Sequence, residues 1–224
     1  MIRILHSIAT LDLAGIQSFL MNVYRNIDRS KIQFDFITSS PNGPLSQEIM
    51  SLGGRIYQIP SRKKGIGLFH RIKALNSFFQ KHPEYQILHA HLSSLSDVSI
   101  LKVATKCGIP CRIVHSHSSH WGSTINKYLH YINQLSIDTY ATDFFACSEL
   151  AAKWMFPRKR YINHDFEIIN NGIETKKFAF NEEVRKKKRN EMRIENNFVI
   201  GHIGRFHTVK NHSFLIDIFK NVHQ

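Results

Sequence analysis

The chain has 224 residues, 42% of them hydrophobic, which is enough for one full core with length left over. Thirty Lys and Arg against 17 Asp and Glu give a formal charge of +13, a field that favours anionic partners such as nucleotide diphosphates or anionic lipid. No apolar run reaches the ~18 residues of a membrane span, the opening run is too short for an export signal, and three cysteines without dense spacing suit a reducing cytoplasm better than a disulfide framework.

Short runs rich in β-branched and aromatic residues recur at 2–8, 33–38, 55–59, 86–90, 112–115, 144–147 and 167–169, and segments of helical period separate most of them. Phe19, Leu20, Val23 and Ile27 make a stripe after the first run; Leu68, Ile72, Leu75 and Phe79 share one helix face; Ile100, Leu101 and Ala104 follow Asp97 after the fourth. Strands alternating with helices at this spacing imply parallel pairing through crossover helices, hence an α/β, Rossmann-like doubly wound sheet. In such sheets ligands lie beyond the carboxyl ends of the strands, and the polar residues gather there. They are Gly15 after the first strand, His89 and His91 at the fourth, His115, His117 and His120 at the fifth, Ser148 and Glu149 after the sixth, and Asn170, Asn171 and Gly172 after the seventh.

Beyond Gly172 the composition turns charged. The reading divides the chain into a first domain over 1–172, a charged linker and helix over 173–197, and the start of a second domain over 198–224. Asn181 is placed to cap the linker helix, with Glu182 and Glu183 in its first turn and Arg185 to Arg189 following, as the helix dipole favours. A strand is expected over 198–203, then a turn with Gly204, Arg205 and Lys210, then an apolar-periodic helix through Phe214, Leu215 and Ile218. Two cations five positions apart on one turn beside a helix start can converge on a diphosphate and stabilise charge developing there.

With these pieces in order, the sequence resembles the GT-B glycosyltransferases of family GT4, in particular bacterial enzymes of exopolysaccharide and capsule assembly. The matching stretches are Ala14-Gly15, Leu88 to His91, Val114 to His117, Phe145 to Glu149, Ile169 to Ile173, and Gly204 to Phe206 with Lys210-Asn211. The resemblance implies two Rossmann-like domains, the first holding the acceptor and the second a nucleotide sugar, UDP-linked, with anomeric retention and no required metal. It implies that Gly15 lets backbone amides approach the donor diphosphate, that His117 is the active-site histidine, with His115 and His120 as competitors for that role, and that Arg205 and Lys210 neutralise the leaving diphosphate. His91, His115, His120, Ser148 and Asn171 would line the acceptor side. The family's second domain continues further and carries a paired-glutamate motif that this sequence lacks, so the chain reads as truncated. The competing reading is a non-catalytic acceptor-binding fragment, or one half of a split enzyme with a separately encoded partner. The expected setting is cytoplasmic, with a glycan or lipid-linked acceptor and peripheral contact with the inner membrane face.

Other readings of the same residues were weighed. The His-x-His pairs would need ligands from other strands to hold a metal, so polar residues lining a cleft are preferred to a metal site. Asp97 and Glu149 read as helix caps or first-turn acids rather than bases. Arg185 to Arg189 reads first as a solvated helix face, then as a lipid contact, and not as a nucleic-acid site, because no aromatics interleave. A dinucleotide-binding enzyme is excluded by the missing Gly-x-Gly-x-x-Gly after the first strand.

Overall fold

Seven parallel strands form one sheet in the order β3-β2-β1-β4-β5-β6-β7, so the direction of winding reverses between β1 and β4. This is the computed structural model of the chain, and it describes residues 1–62, 67–118, 123–204, 206 and 208–222. The strands are β1 Ile2–Ser7, β2 Ile32–Thr38, β3 Ile56–Gln58, β4 Ile87–Leu92, β5 Cys111–Ser116, β6 Asp143–Ala146 and β7 Glu167–Ile168. Helices α1 Gly15–Asn26, α2 Ser46–Ser51, α3 Gly67–Lys81, α4 Ser99–Lys106, α5 Thr124–Gln134, α6 Ile137–Tyr140, α7 Glu149–Met155 and α8 Arg158–Ile162 connect them. The α/β architecture expected from the alternating pattern is therefore present, with every strand within a few residues of its predicted place.

Because side chains alternate across a strand, the sheet sorts its core into two layers. Leu5, Ile37, Leu88, Ala90, Val114, Phe144 and Ala146 pack with Leu75 and Phe79 of α3, Leu101 and Ala104 of α4, and Ala152 and Met155 of α7. Phe34 and Phe36 pack with Phe19, Leu20, Met21 and Tyr24 of α1 and Ile49 of α2. The α3 stripe needs correction: Leu75 and Phe79 are buried with Phe78, whereas Leu68 and Ile72 stay at the surface, lining a hollow with Val98 and Val103.

An ion pair with a buried carboxylate lies towards the amino ends of the strands, on the face that carries Leu5 and Ile37. Asp35, wholly buried on β2, accepts two hydrogen bonds from Arg3, from Nε and Nη2, each at 2.5 Å. It also accepts from Tyr85 Oη at 2.6 Å and from the Arg55 amide at 2.7 Å, so its oxygens are satisfied by four donors. Burial and Asp35 together push the Tyr85 phenol upward, keeping it a donor.

The chain divides into two compact units, 1–174 and 175–224. In the second unit α9 Glu182–Met192 is capped by Asn181, whose Oδ1 accepts from the Val184 amide at 2.9 Å, and α10 His212–Val222 follows a short 3-10 turn over Thr208–Lys210. The strand expected over 198–203 is not formed. A strand is held by ladder hydrogen bonds to a neighbour, and no sheet partner for this segment exists among the described residues; Phe198 and Ile203 are almost fully exposed. Phe214, Ile216 and Ile218 of α10 are likewise exposed. Arg185 to Arg189 lie in the exposed body of α9, with Lys186 near Glu182 and Lys188 bonded to Glu191, as a solvated face requires. Among the described residues no helix is long and apolar enough to cross a membrane.

Removing one partner from a buried ion pair strands the other. Asp35→Ala should therefore lower unfolding stability by about 3 to 5 kcal/mol in a urea titration, and a loss below about 1 kcal/mol would show that the Arg3–Asp35–Tyr85 group does not anchor the fold.

Candidate functional site at the strand ends

The α1 side of the sheet carries imidazoles at positions where a parallel sheet covered on both faces is normally apolar. In the parallel register His6 of β1 lies beside His89 of β4, and His91 of β4 lies beside His115 of β5. His117 follows β5 by one residue, its amide donating to the Leu92 carbonyl at 3.0 Å, and returns to the same face. Five histidines thus form one array across the winding reversal, which in open α/β sheets is where ligands bind.

Their ring nitrogens pair with one another. His6 Nδ1 lies 3.0 Å from His91 Nε2, His91 Nδ1 lies 2.8 Å from His117 Nε2, and His89 Nε2 lies 3.1 Å from His115 Nδ1. A neutral imidazole has one donor and one acceptor nitrogen. His91 uses both, so the protons of the His6–His91–His117 chain must all point the same way. Phe34 packs on His6 at 4.1 Å between ring centroids, Phe19 of α1 meets His115 and His117 at 5.5 and 5.7 Å, and Phe145 meets His89 at 5.7 Å. Inside this aromatic box two buried nitrogens, His6 Nε2 and His115 Nε2, have no hydrogen-bond partner among the described residues.

Burial decides the charge state. It pushes His115 down to about 2, helped by His117 and His89, pushes His6 down to about 3, helped by His115, and holds His117 at about 4. Burial and the neighbouring imidazoles also hold His89 and His91 well below the ordinary range. The array is neutral at physiological pH.

The other predicted residues fall out as follows. Gly15 opens α1; the preceding Ala14 supplies no side-chain cap, so the first amides of this helix stay available, and a Cβ built at Gly15 would meet nothing within 4 Å. Ser148 is exposed and caps α7, its Oγ accepting from the Ala151 amide at 3.2 Å, a structural role. Asp97 accepts from the Ser99 amide at the start of α4 and Glu149 sits in the first turn of α7, as expected of caps and first-turn acids. Asn171 is exposed after β7, in a loop tied to α1 by Asn22 Nδ2 donating to the Gly172 carbonyl at 3.0 Å. Lys210 ends the 3-10 turn of the second unit, and its Cγ would lie 3.5 Å from a Cβ placed on Gly204. His120 and Arg205 lie outside the described residues.

Two features escape a reading of the sequence. His6 sits in an ordinary-looking first strand, and only the parallel register, not its neighbours in the chain, puts it against His89 and His91. The second is a cavity of about 320 Å³ at the strand ends, lined by Ser7, Gln17, Ser39, Arg62, Arg71 and His91 among others. Gln17, itself buried, uses its Nε2 on the Thr10 carbonyl at 2.7 Å and leaves Oε1 without a partner among the described residues.

An open α/β sheet with a polar floor at its winding reversal and an uncapped helix start beside it is the arrangement of a Rossmann-like domain that binds its ligand at the strand ends. Comparison with known proteins narrows the class. The Glycosyltransferase Family 4 profile matches residues 13–177, and the chain belongs to this family. A protein of Bacillus subtilis (strain 168) named "Putative glycosyltransferase EpsF" is 32% identical over 222 residues, covering 96% of this chain and 57% of that protein. The "Capsular polysaccharide biosynthesis glycosyltransferase CapH" of Staphylococcus aureus is 24% identical over 233 residues, covering 98% and 58%. The chain thus spans a little over half the length of these relatives. Among solved structures, Anabaena Alr3699/HepE in complex with UDP and glucose shares the fold with a TM-score of 0.68 at 15% identity, over 97% of this chain and 57% of that one. A glycosyltransferase from Rickettsia africae ESF-5 superposes with a TM-score of 0.63 at 15% identity, over 88% and 50%.

The histidine array carries a pH signature. Its folded-state values lie below the ordinary 6.5, so the unfolded chain binds more protons than the folded one below that pH, and stability falls as pH drops from about 6.5 towards 4. Each such histidine steepens the fall by up to about 1.4 kcal/mol per pH unit. Urea titrations at stepped pH in chelator-containing buffer should show this decline, and His115→Phe should reduce its slope by about one proton; a stability flat between pH 6.5 and 5 would mean that the array is hydrated or charged.

Proposed function

We propose that this chain supplies the acceptor-side domain of a retaining glycosyltransferase that moves a sugar from a nucleotide-sugar donor, UDP-linked, to a glycan or lipid-linked acceptor in exopolysaccharide or capsule synthesis. The observation that carries the reading is the family match over 13–177, which takes in the whole strand-end floor except β1. The relatives named for glycosyl transfer and capsule synthesis, and the likeness in fold to a protein solved with UDP and glucose, support it.

In this reading the acceptor occupies the cavity at Gln17, Arg62, Arg71 and His91, where Gln17 Oε1, without a partner among the described residues, accepts from a hydroxyl, and Arg71, paired with Asp97 at 3.3 Å in the same lining, belongs to a polar wall. Gly15 leaves room for the donor diphosphate against the start of α1, where amide dipoles favour negative charge. His117, neutral at the open end of the imidazole chain, offers hydrogen bonds to the transferred sugar without adding charge. Arg205 and Lys210 stabilise the departing diphosphate, and no metal is assigned to the transfer step. Contact of Arg185 to Arg189 with anionic lipid would bring the protein to a lipid-linked acceptor.

Two variants test the assignments separately. Gly15→Ala adds a methyl to open space and a better helix former, so thermal stability should hold while UDP or UDP-sugar affinity, by calorimetry, falls about tenfold; unchanged affinity would remove the diphosphate from α1. In the polypeptide length that shows transfer, Lys210→Ala should lower kcat/KM by about 100-fold, and retention of wild-type turnover would remove Lys210 from the leaving-group site.

A further inference from the structure

Three imidazoles of the array meet the requirements for coordinating a divalent transition metal, and we propose that His91, His115 and His117 form a zinc-type site. One ligand nitrogen from each lies within 4.8 Å of those of the other two. Two of the three come from the His-x-His at the end of β5, His115 within it and His117 one residue beyond, and the third from the neighbouring strand, where the parallel pairing of His91 with His115 fixes it. The sequence reading set a metal aside because each His-x-His pair needs a ligand from elsewhere; the register of β4 against β5 supplies it.

The hydrogen-bond pattern assigns the atoms. His91 Nδ1 and His117 Nε2 already face each other at 2.8 Å. Two nitrogens bound to one tetrahedral ion with metal–nitrogen bonds of 2.0–2.1 Å stand about 3.3 Å apart, so a small widening admits the ion in place of that hydrogen bond. His115 has its Nδ1 3.1 Å from His89 Nε2, which leaves for the metal its Nε2, the buried nitrogen without a hydrogen-bond partner among the described residues. The outer partners are in place as well. His91 Nε2 can donate to His6 Nδ1, and His115 Nδ1 to His89 Nε2, so two ligands are oriented by second imidazoles in the way metal-bound histidines usually are.

Three neutral nitrogen ligands with no thiolate suit zinc, nickel or copper rather than magnesium or calcium. The fourth position opens towards the strand ends, because His117 is only half-buried and His91 lines the cavity there; a water or a small anion completes the coordination. A second trio, His6, His89 and His91, has similar spacing, but it shares His91, so one chain holds one ion. The half-buried His117 gives the first trio its access. The site meets the transfer reading at two residues: His91, which also lines the cavity given to the acceptor, and His117, whose Nε2 cannot hold a metal and a sugar hydroxyl together.

The test uses the full 224-residue chain stripped with chelator and titrated with Co²⁺ and Zn²⁺ alone. Stoichiometric binding, one ion per chain, with the visible absorption of tetrahedral cobalt displaced by zinc, is expected. His117→Phe and His115→Phe should each weaken binding by more than 100-fold, and His89→Phe by the about 10- to 100-fold typical of an outer partner. Near-ultraviolet circular dichroism checks that each variant is folded, and paramagnetic shifts of the wild-type histidine resonances identify the ligands without any substitution. Absence of stoichiometric binding by the folded wild type, wild-type affinity in His117→Phe, or cobalt shifts centred on His6 instead of His117 would overturn the assignment.

Discussion

A parallel sheet covered on both faces leaves its central positions without water, and this one places imidazoles there. The register of β1, β4 and β5 sets His6 beside His89 and His91 beside His115, so the dehydration of one histidine depends on the position of the others. No acid among the described residues appears in the interactions that set their protonation; the rings satisfy each other instead. Neutral imidazole both donates and accepts through its two ring nitrogens, so this side chain can build a polar floor across three strands without charge.

That floor lies where the sheet changes its direction of winding, and α1 connects it to the rest of the site. Phe19, one turn into α1, seals the rings of His115 and His117, while the same helix begins at Gly15 with its amides uncapped. A ligand at the start of α1 therefore sits close to the open end of the imidazole chain. Towards the amino ends of the strands, Arg3, Asp35 and Tyr85 form a separate charged cluster that shares no hydrogen bond with the histidine array. The second unit, taken by itself, carries a turn in which the Lys210 side chain lies beside Gly204.

Much of this was legible in the sequence, and what was not has a physical reason. Strand runs such as Ile32–Thr38 and the cap at Asn181 are local signals, written in side-chain period and in hydrogen bonds a few residues long. His91, His115 and His117 could be placed at strand ends for the same reason. Their pairing could not be read, because it depends on which strands are neighbours and in what register, and His6 was missed for that cause alone. The expected strand at 198–203 failed in the opposite sense: Val199, Ile200 and Ile203 have β-branched character, but propensity alone makes no ladder, and without a partner the segment stays irregular. Ser148, placed after β6 by its sequence position, also accepts from the Ala151 amide as the cap of α7, a role written in a hydrogen bond three residues long.

The most direct test of the shared constraint is side-chain nitrogen NMR of the histidines in metal-free, chelator-containing solution between pH 7.5 and 5.5. The account predicts that His6, His91 and His115 keep the chemical shifts of neutral imidazole across that range for as long as the chain is folded. A protonated imidazolium signal from any of the three in the folded protein above pH 6 would contradict it.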